Sequence, residues 1–367
     1  MGQYRKKVFG VALDASDDPW NLQLKLASMM STENSADFLH LDPYDALVKD
    51  VADFQHFELA GKYPIPSWLG PRPCASDLHL VNAKNLQQFV ANGGFFETKK
   101  GVRDFVERKV FPAFPIMLGI DHSTTGGVVA ALAKRYGQER ISVVVLDRHF
   151  DAIPLSLRMD SLLKPTSGFN KNRTFGSGDV TEVDQYCCGN FWAYLIEGGI
   201  VLPENLLFVG VADYPEKNID SKWKRFKESY LSFEDRGCSF FPLWKFDGFY
   251  IDSLARFLNE KIKTPYVYVS LDLDVGAYNC TYAARYMDGI GINRQNLLDI
   301  AGIIADGNRN KNYRLVGFDI MEFNMHFLGI KTTEGIEDST LSLVQDFIKR
   351  LIPLNDSWQT PEHRSQI

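Results

Sequence analysis

Apolar residues occur along this chain in short runs, separated by polar loops and by longer amphipathic stretches. Six of these runs are nearly continuous in apolar residues and rich in β-branched ones, which is typical of strands buried on both faces of a sheet. They are residues 7–13, 115–120, 141–146, 206–211, 265–271 and 313–320. We number them as the first to sixth predicted strands.

Stretches with helical periodicity lie between or after these strands. They are residues 124–136, 191–197, 249–262, 294–306 and 339–351. Strands that alternate with helices predict an α/β fold, in which helices cover both faces of a mainly parallel sheet. Ligands of such folds bind beyond the carboxyl ends of the strands.

Two segments do not follow this alternation. Residues 35–94 contain several prolines and many aromatic residues without a clear period, and we predict an irregular extension that packs on the domain as a lid or substrate wall. Residues 155–184 are polar and longer than an ordinary connector, which is compatible with a functional loop or with a mobile surface loop. We expect residues 1–367 to form a single domain.

The composition narrows the classes of protein that are possible. The formal net charge of −6 and the absence of a basic run argue against a nucleic-acid-binding surface. No stretch approaches 18 consecutive apolar residues, so we expect no membrane partner, and no apolar segment typical of a signal peptide follows the charged start. The five cysteines are irregularly spaced, and we expect free thiols in a cytoplasmic protein.

Acidic residues and histidines follow several of the predicted strands. The third strand is followed by Asp147, His149 and Asp151, which alternate and therefore point to one side of an extended backbone. The fifth strand is followed by Asp272 and Asp274 in the same way. Burying so many carboxylates costs several kcal/mol for each unpaired charge, so a divalent cation is the natural compensation. Oxygen and imidazole ligands suit manganese, zinc or iron better than calcium.

Two more candidates lie at the ends of other strands. His122 follows the second predicted strand and Glu322 follows the sixth, where it has no basic neighbour in sequence and is placed to receive a cationic substrate. We expect Asp121 and Ser123 to cap a helix. Each of these side chains, taken alone, has an ordinary structural explanation. Their joint occurrence at four strand ends favours one shared site.

These strand-end segments resemble the motifs of the ureohydrolase family, which contains arginase, agmatinase, guanidinobutyrase and formimidoylglutamase. The matching segments are Gly119-Ile120-Asp121-His122-Ser123, Asp147-Arg148-His149-Phe150-Asp151, Ser270-Leu271-Asp272-Leu273-Asp274 and Asp319-Ile320-Met321-Glu322. All six metal-ligand positions of the family are present. The resemblance covers roughly residues 110–350.

The resemblance implies a three-layer αβα fold and a centre of two Mn²⁺ ions per chain. It also implies a homo-oligomer, commonly a trimer or a hexamer. One ion would be held by His122, Asp147, Asp151 and Asp272, and the other by Asp147, His149, Asp272 and Asp274.

The family's activity implies roles for the remaining residues. Two close cations lower the pKa of a bridging water, and the resulting hydroxide attacks the carbon of a guanidino or formimino group. Asp151 would orient the hydroxide and relay its proton. Glu322 would pair with the cationic C–N group. We therefore predict a manganese-dependent hydrolase of linear amidines, with a small-molecule guanidino or formimino compound as its substrate.

The chain also departs from the family pattern. Cys188-Gly189 stands where arginases and agmatinases have the histidine and glycine of a proton shuttle, and Arg148 replaces a small residue. Arginine itself is therefore disfavoured as the substrate. The Cys188 thiol could donate a hydrogen bond, attack the substrate, or merely fill space at a helix start. His326, four residues past Glu322, could supply the missing shuttle.

Two other functions compete with this one. A catalytically altered paralogue, which binds a ligand or serves as a scaffold, is disfavoured because such a descendant has no need for six intact ligands. A metal-dependent deacetylase with the same fold would need a different, histidine-rich pattern, which the sequence does not contain.

Overall fold

The computed structural model describes residues 5–16, 19–30, 42–50, 57–153, 185–215, 224–246, 248–331, 335 and 337–352. Its strands form one eight-stranded sheet in the order β2-β1-β3-β8-β7-β4-β5-β6, and every neighbouring pair is parallel. They are Lys6–Val11 (β1), Glu58–Lys62 (β2), Phe114–Gly119 (β3), Ile141–Leu146 (β4), Leu206–Val209 (β5), Ser239–Phe241 (β6), Tyr266–Asp272 (β7) and Arg314–Met321 (β8). The predicted α/β fold with a parallel sheet is confirmed.

The described residues form eleven α-helices. They are Pro19–Met30 (α1), Pro43–Asp50 (α2), Ala83–Ala91 (α3), Gly94–Phe105 (α4), Thr125–Tyr136 (α5), Phe191–Glu197 (α6), Lys224–Asp235 (α7), Tyr250–Lys261 (α8), Ala277–Cys280 (α9), Arg294–Arg309 (α10) and Thr340–Leu351 (α11). The five predicted helices correspond to α5, α6, α8, α10 and α11. In the described part of the chain, no helix is both long enough and apolar enough to cross a membrane.

The sheet is buried on both faces, which explains the nearly continuous apolar runs of its strands. In β4, Val144 and Leu146 belong to the hydrophobic cluster on one face, whereas Val143 and Val145 belong to the cluster on the other. All six residues of this strand are buried. Because neither face meets water, no polar residue is needed at alternate positions, and the strand shows no period of two.

Part of the segment 35–94, expected to be irregular, is regular. Glu58–Lys62 forms strand β2, which pairs with β1 at the edge of the sheet, and Ala83–Ala91 forms a helix whose N-cap Asn82 accepts a hydrogen bond from Asn85 N. Strand β2 is short, polar and only partly buried, so its sequence shows no apolar run. Residues 35–41, 51–56 and 155–184 lie outside the described residues.

Candidate metal centre and substrate site

The four strands that precede the candidate site residues are neighbours in the middle of the sheet. They lie in the order β3-β8-β7-β4, and their register places Leu146 beside Leu271 and Leu271 beside Ile320. The residues that follow these positions therefore leave the sheet at the same edge. Chain segments that are distant in sequence thus supply one site.

A first group of donor atoms surrounds the His122 imidazole. Donor atoms of His122, Asp147, Asp151 and Asp272 all lie within 4.8 Å of one another. His122 Nδ1 is 3.4 Å from Asp147 Oδ2, 3.5 Å from Asp151 Oδ2 and 3.0 Å from Asp272 Oδ2. His122 and Asp147 are completely buried, and neither His122 Nδ1 nor Asp147 Oδ2 makes a hydrogen bond in the described structure.

The other ring nitrogen of His122 is held by a chain of hydrogen bonds. Nε2 lies 2.8 Å from Ser270 Oγ, and that hydroxyl donates to Asp319 Oδ1 at 2.7 Å. The Asp319 carboxylate also accepts hydrogen bonds from Thr125 and Tyr268. Because the serine proton is directed at Asp319, the serine oxygen accepts from His122 Nε2–H. This tautomer leaves the Nδ1 lone pair facing three carboxylates.

A second group of donor atoms adjoins the first and shares one residue with it. Donor atoms of Asp147, His149 and Asp274 lie within 4.8 Å of one another. His149 Nδ1 is 2.7 Å from Asp274 Oδ2, while His149 Nε2 is 3.1 Å from Asp288 Oδ2. Asp288 in turn pairs with Arg148. Asp288 orients His149 as the Ser270 hydroxyl orients His122, and no motif in the sequence indicates this role.

The donor set fits divalent cations. When the imidazole is neutral, the lone pair on His122 Nδ1 faces three buried carboxylates, which is electrostatically unfavourable, and either a proton on Nδ1 or a cation between these atoms would remove the repulsion. Burial and the neighbouring carboxylates raise the pKa of Asp147 well above its ordinary value, and they raise the pKa of Asp272 to about 6. Asp147 belongs to both groups, as a residue that bridges two ions must, whereas Asp272 belongs to the first group.

Glu322 lies at the same edge but is not part of either donor group. Its Oε1 accepts a hydrogen bond from His122 N at 2.9 Å, and its Oε2 makes no hydrogen bond in the described structure. Burial raises the pKa of Glu322 well above its ordinary value, and the nearby Arg285 guanidinium opposes that shift. The distance between Arg285 Nη1 and Glu322 Oε2 is 3.5 Å. Glu322 therefore has a basic neighbour in space, although it has none in sequence.

Arg285 links this carboxylate to a second buried ion pair. Its Nη2 is 3.6 Å from Asp14 Oδ1, and Asp14 also pairs with the fully buried Lys25 at 3.3 Å. His326 lies near Asp14 and Lys25, where burial lowers its pKa. The charged groups that act on it are Asp14, Arg72 and Lys25, and its role as a proton shuttle stays a prediction.

Cys188 lies close to the site. Burial raises the pKa of its thiol well above the ordinary value, and the negative charges of Asp121, Glu322 and Asp151 raise it further. A thiol in such surroundings stays protonated, so it is a poor nucleophile but an adequate hydrogen-bond donor. The five cysteines all lie within the described residues, and none forms a disulfide bond.

Residues in the left-handed backbone region are concentrated here. Asp151 has φ 48°, Tyr286 has φ 53° and Glu322 has φ 62°. This region disfavours side chains with a Cβ, and residues held in it often belong to functional sites, where surrounding contacts compensate the strain. Here Glu322 N donates to Ile120 O and Glu322 O accepts from Arg285 N, so backbone bonds fix the strained residue.

A family model described as the arginase family matches residues 56–336. The chain belongs to the arginase family. Its solved structural neighbours include proclavaminate amidino hydrolase from Streptomyces clavuligerus, with TM-score 0.56, 18% identity and coverage of 95% of this chain and 91% of that one. Arginase from Bacillus caldovelox has TM-score 0.56 and 16% identity, with coverage of 95% and 98%.

Formimidoylglutamase from Bacillus subtilis is similar at TM-score 0.50 and 15% identity, with coverage of 96% of this chain and 87% of that chain. No curated protein sequence matches the chain. At these identities the structural neighbours show the fold alone. The predicted resemblance to the ureohydrolases is confirmed, and the arginase-like fold encloses a buried cluster of histidines and aspartates typical of a metal site.

Proposed function

We propose that the chain is a hydrolase that uses two manganese ions to cleave a C–N bond in a linear guanidino or formimino compound. The observation that carries this proposal is the pair of adjoining donor groups that share Asp147. Membership of the arginase family supports the reaction class, because structural relatives include an amidino hydrolase and a formimidoylglutamase. Because the site is buried, it is compatible with a small-molecule substrate.

In this proposal, six residues hold the two ions. His122, Asp147, Asp151 and Asp272 hold one, and Asp147, His149 and Asp274 hold the other, with Asp272 reaching both as the resemblance implies. When bound, such a pair of cations supplies a nucleophilic water at neutral pH. The oligomeric state implied by the resemblance, a trimer or a hexamer, stays a prediction.

Glu322 then binds the substrate amidine, and Asp151 acts on the attacking water. Glu322 Oε2, which accepts no hydrogen bond in the described structure, is available to an N–H group of the substrate amidine. A carboxylate that faces a delocalised C–N cation can make parallel charge-assisted hydrogen bonds, which hold the carbon in line for attack. Asp151, 3.5 Å from His122 Nδ1, orients the attacking water and relays its proton to the departing amine or ammonia.

The test is a substrate screen with manganese-loaded protein. We expect turnover of at least one guanidino or formimino compound, with urea, ammonia and formamide detected separately. Glu322→Gln preserves the shape and removes the charge, so it should lower kcat/KM about thirtyfold, equivalent to about 2 kcal/mol, with an unchanged metal content.

Cys188→Ser is the matched variant for the alternative of a thiol nucleophile. We expect it to retain most of the activity, because burial keeps the thiol protonated. If Cys188→Ser abolishes turnover and Glu322→Gln retains it, the thiol is the nucleophile and the proposed mechanism is wrong. A folded, manganese-binding protein that hydrolyses no amidine would instead favour a ligand-binding paralogue.

A further inference from the structure

A cavity of about 540 Å³ adjoins the candidate site, and Arg285 separates it from Glu322. Arg285 lines this cavity, whereas neither Glu322 nor any of the six candidate metal ligands does. Arg285 is 6% exposed and Glu322 is 1% exposed. Because Arg285 Nη1 is 3.5 Å from Glu322 Oε2, the guanidinium forms the wall between the cavity and the carboxylate. A molecule in the cavity therefore reaches Glu322 only after Arg285 has moved.

The group that lies against Glu322 has the chemistry of the proposed substrate. An arginine side chain ends in a guanidinium, which is itself a planar, delocalised C–N cation. The 3.5 Å between Arg285 Nη1 and Glu322 Oε2 exceeds a good N–H···O distance, and neither atom makes a hydrogen bond in the described structure. Arg285 thus lies where the substrate amidine is expected, without making the hydrogen bond that a substrate would make there.

A second carboxylate is placed to receive the displaced guanidinium. Arg285 Nη2 is 3.6 Å from Asp14 Oδ1, nearly the same distance that separates Nη1 from Glu322. Asp14 also pairs with the buried Lys25 and accepts a hydrogen bond from Asn21 Nδ2 at 3.0 Å. A small shift of the guanidinium completes its pair with Asp14 and releases Glu322. The displaced arginine thus keeps a negative partner, which a buried charge requires.

The backbone around Arg285 is held more firmly before this residue than after it. Arg285 N donates to Glu322 O at 2.9 Å, whereas no backbone–backbone hydrogen bond of the described structure involves residues 286–288. The Tyr286 hydroxyl accepts from Arg285 Nη2 at 2.8 Å, and its ring centre lies 4.8 Å from the guanidinium carbon. Because Tyr286 is 46% exposed, this contact joins the buried guanidinium to a residue at the solvent. Tyr286 therefore holds Arg285 in the described position.

We propose that Arg285 is a gate residue, which occupies the amidine position at Glu322 in the described conformation and is displaced toward Asp14 when a substrate enters from the cavity. The inference rests on the proposed function. A binding site that is open in only a fraction of the molecules binds its ligand more weakly by that fraction. The gate therefore raises KM for every amidine. It changes kcat little, because the displaced Arg285 no longer contacts Glu322.

The experiment measures the binding of the guanidinium ion to manganese-loaded full-length protein. Guanidinium chloride is titrated calorimetrically, at concentrations too low to unfold the protein. Arg285→Gln keeps a polar side chain beside Tyr286 and removes the competing cation, so Kd should fall by about tenfold or more. KM for an amidine substrate should fall by the same factor, with kcat nearly unchanged. Adding Glu322→Gln to Arg285→Gln should abolish the gain, because the gate acts at that carboxylate.

A milder variant weakens the gate without removing the buried charge. Tyr286→Phe deletes the hydroxyl that accepts from Arg285 Nη2, so the gate should open more readily and Kd for guanidinium should fall about threefold, as expected for the loss of one hydrogen bond. Because Tyr286 is half exposed, this change should not impair folding. The control is Arg309→Gln, which removes one positive charge from an exposed pair with Asp306 and should leave Kd and KM unchanged.

The outcomes separate this inference from the proposed function. Tighter guanidinium binding by Arg285→Gln that requires Glu322, without hydrolysis of any amidine, would support the gate and refute the hydrolase. Equal, weaker or undetectable binding by Arg285→Gln, or a gain that persists with Glu322→Gln, would overturn the gate, and turnover of an amidine would then leave the hydrolase standing. If Arg285→Gln does not fold, Tyr286→Phe decides, and wild-type affinity in that variant would overturn the gate.

Discussion

The two nitrogens of the His122 ring have different roles, and the surrounding residues determine which nitrogen carries the proton in the neutral ring. Ser270 Oγ receives Nε2–H because the serine proton goes to Asp319. Asp319 can hold that position because Thr125 and Tyr268 also donate to it. Metal-binding histidines commonly have such outer partners, which set the tautomer and the ring orientation.

The sharing of Asp147 by both donor groups predicts unequal effects of substitution. Asp147→Ala should eliminate turnover, because both ions lose a ligand. His122→Ala removes a ligand of one ion only, so raising the manganese concentration should restore part of the activity. The measurement is kcat/KM as a function of manganese concentration for the two variants, with bound metal determined in parallel. Equal and complete loss in both variants at saturating manganese would contradict this division of roles.

At this scale, the sequence revealed the residues that directly follow buried strands and missed those that the fold brings in from loops. His122 and Asp147 were predictable because the strand before each is an apolar run, and strand ends of a parallel sheet meet at one edge. Arg285 and Asp288 lie in an irregular segment after β7. In such a segment the spacing of residues does not indicate to which side a side chain points. Their proximity to Glu322 and His149 depends on the path of that loop, which only the structure shows.

Among the strands and helices, too, some were predictable from the sequence and others were not. The central strands were predicted within one or two residues, because burial on both faces forces continuous apolar runs. Strand β6 has three residues and β2 is a polar edge strand, so neither produces a run of that length. Helix α4 contains Gly94 and Gly101, which lower its intrinsic helix propensity, and it packs against α5.

The contact between α4 and α5 is close because α5 has a glycine where the helices meet. A Cβ at Gly127 would lie 2.6 Å from Lys99 O and 2.8 Å from Val102 Cβ. Gly127→Ala must therefore push the helices apart, and we expect it to lower the free energy of unfolding by about 1–3 kcal/mol. The measurement is urea unfolding followed by circular dichroism.

Gly248→Ala is the matched control for that substitution. A Cβ at Gly248 meets nothing within 4 Å, so the change should be nearly neutral. Because α5 begins directly after His122–Thr124, displacement of α5 should also weaken manganese binding in Gly127→Ala. A Gly127→Ala protein as stable as the wild type would show that the two helices can separate without cost.

Over the whole molecule, buried negative charge is concentrated at the candidate metal centre and substrate site. The net charge of the chain is only −6, yet seven carboxyl groups lie buried or nearly buried at the carboxyl edge of the sheet. They are Asp121, Asp147, Asp151, Asp272, Asp274, Asp319 and Glu322. Without metal, protons must reduce this charge, so metal binding and proton binding compete for the same atoms.

This competition gives the stability of the metal-free protein a definite pH dependence. Burial and its neighbours raise the pKa of Asp272 from 3.8 to about 6, so the folded chain holds a proton that the unfolded chain has lost. Burial opposes protonation of His122 and His149, but the surrounding carboxylates raise both pKa values well above 6.5. The stabilisation that the two histidines contribute is fully present below pH 6.5, their ordinary pKa, and is lost as the pH rises through their pKa values in the folded chain. The shifts of Asp272, His122 and His149 therefore all favour the folded chain at low pH.

We therefore predict that the free energy of unfolding of the chelated protein falls as the pH rises from 3.8 to about 6, where Asp272 loses its proton, and falls further above pH 6.5, where the histidines lose theirs. Two manganese ions should replace the protons, raise the stability and remove the decline, because the ions bind the deprotonated ligands. Urea midpoints at several pH values, with and without manganese, measure this effect. In the chelated protein, Asp272→Asn should be more stable than the wild type at neutral pH and should show a smaller decline. A flat or rising profile without metal, or about one ion per chain by elemental analysis after loading, would refute the binuclear site.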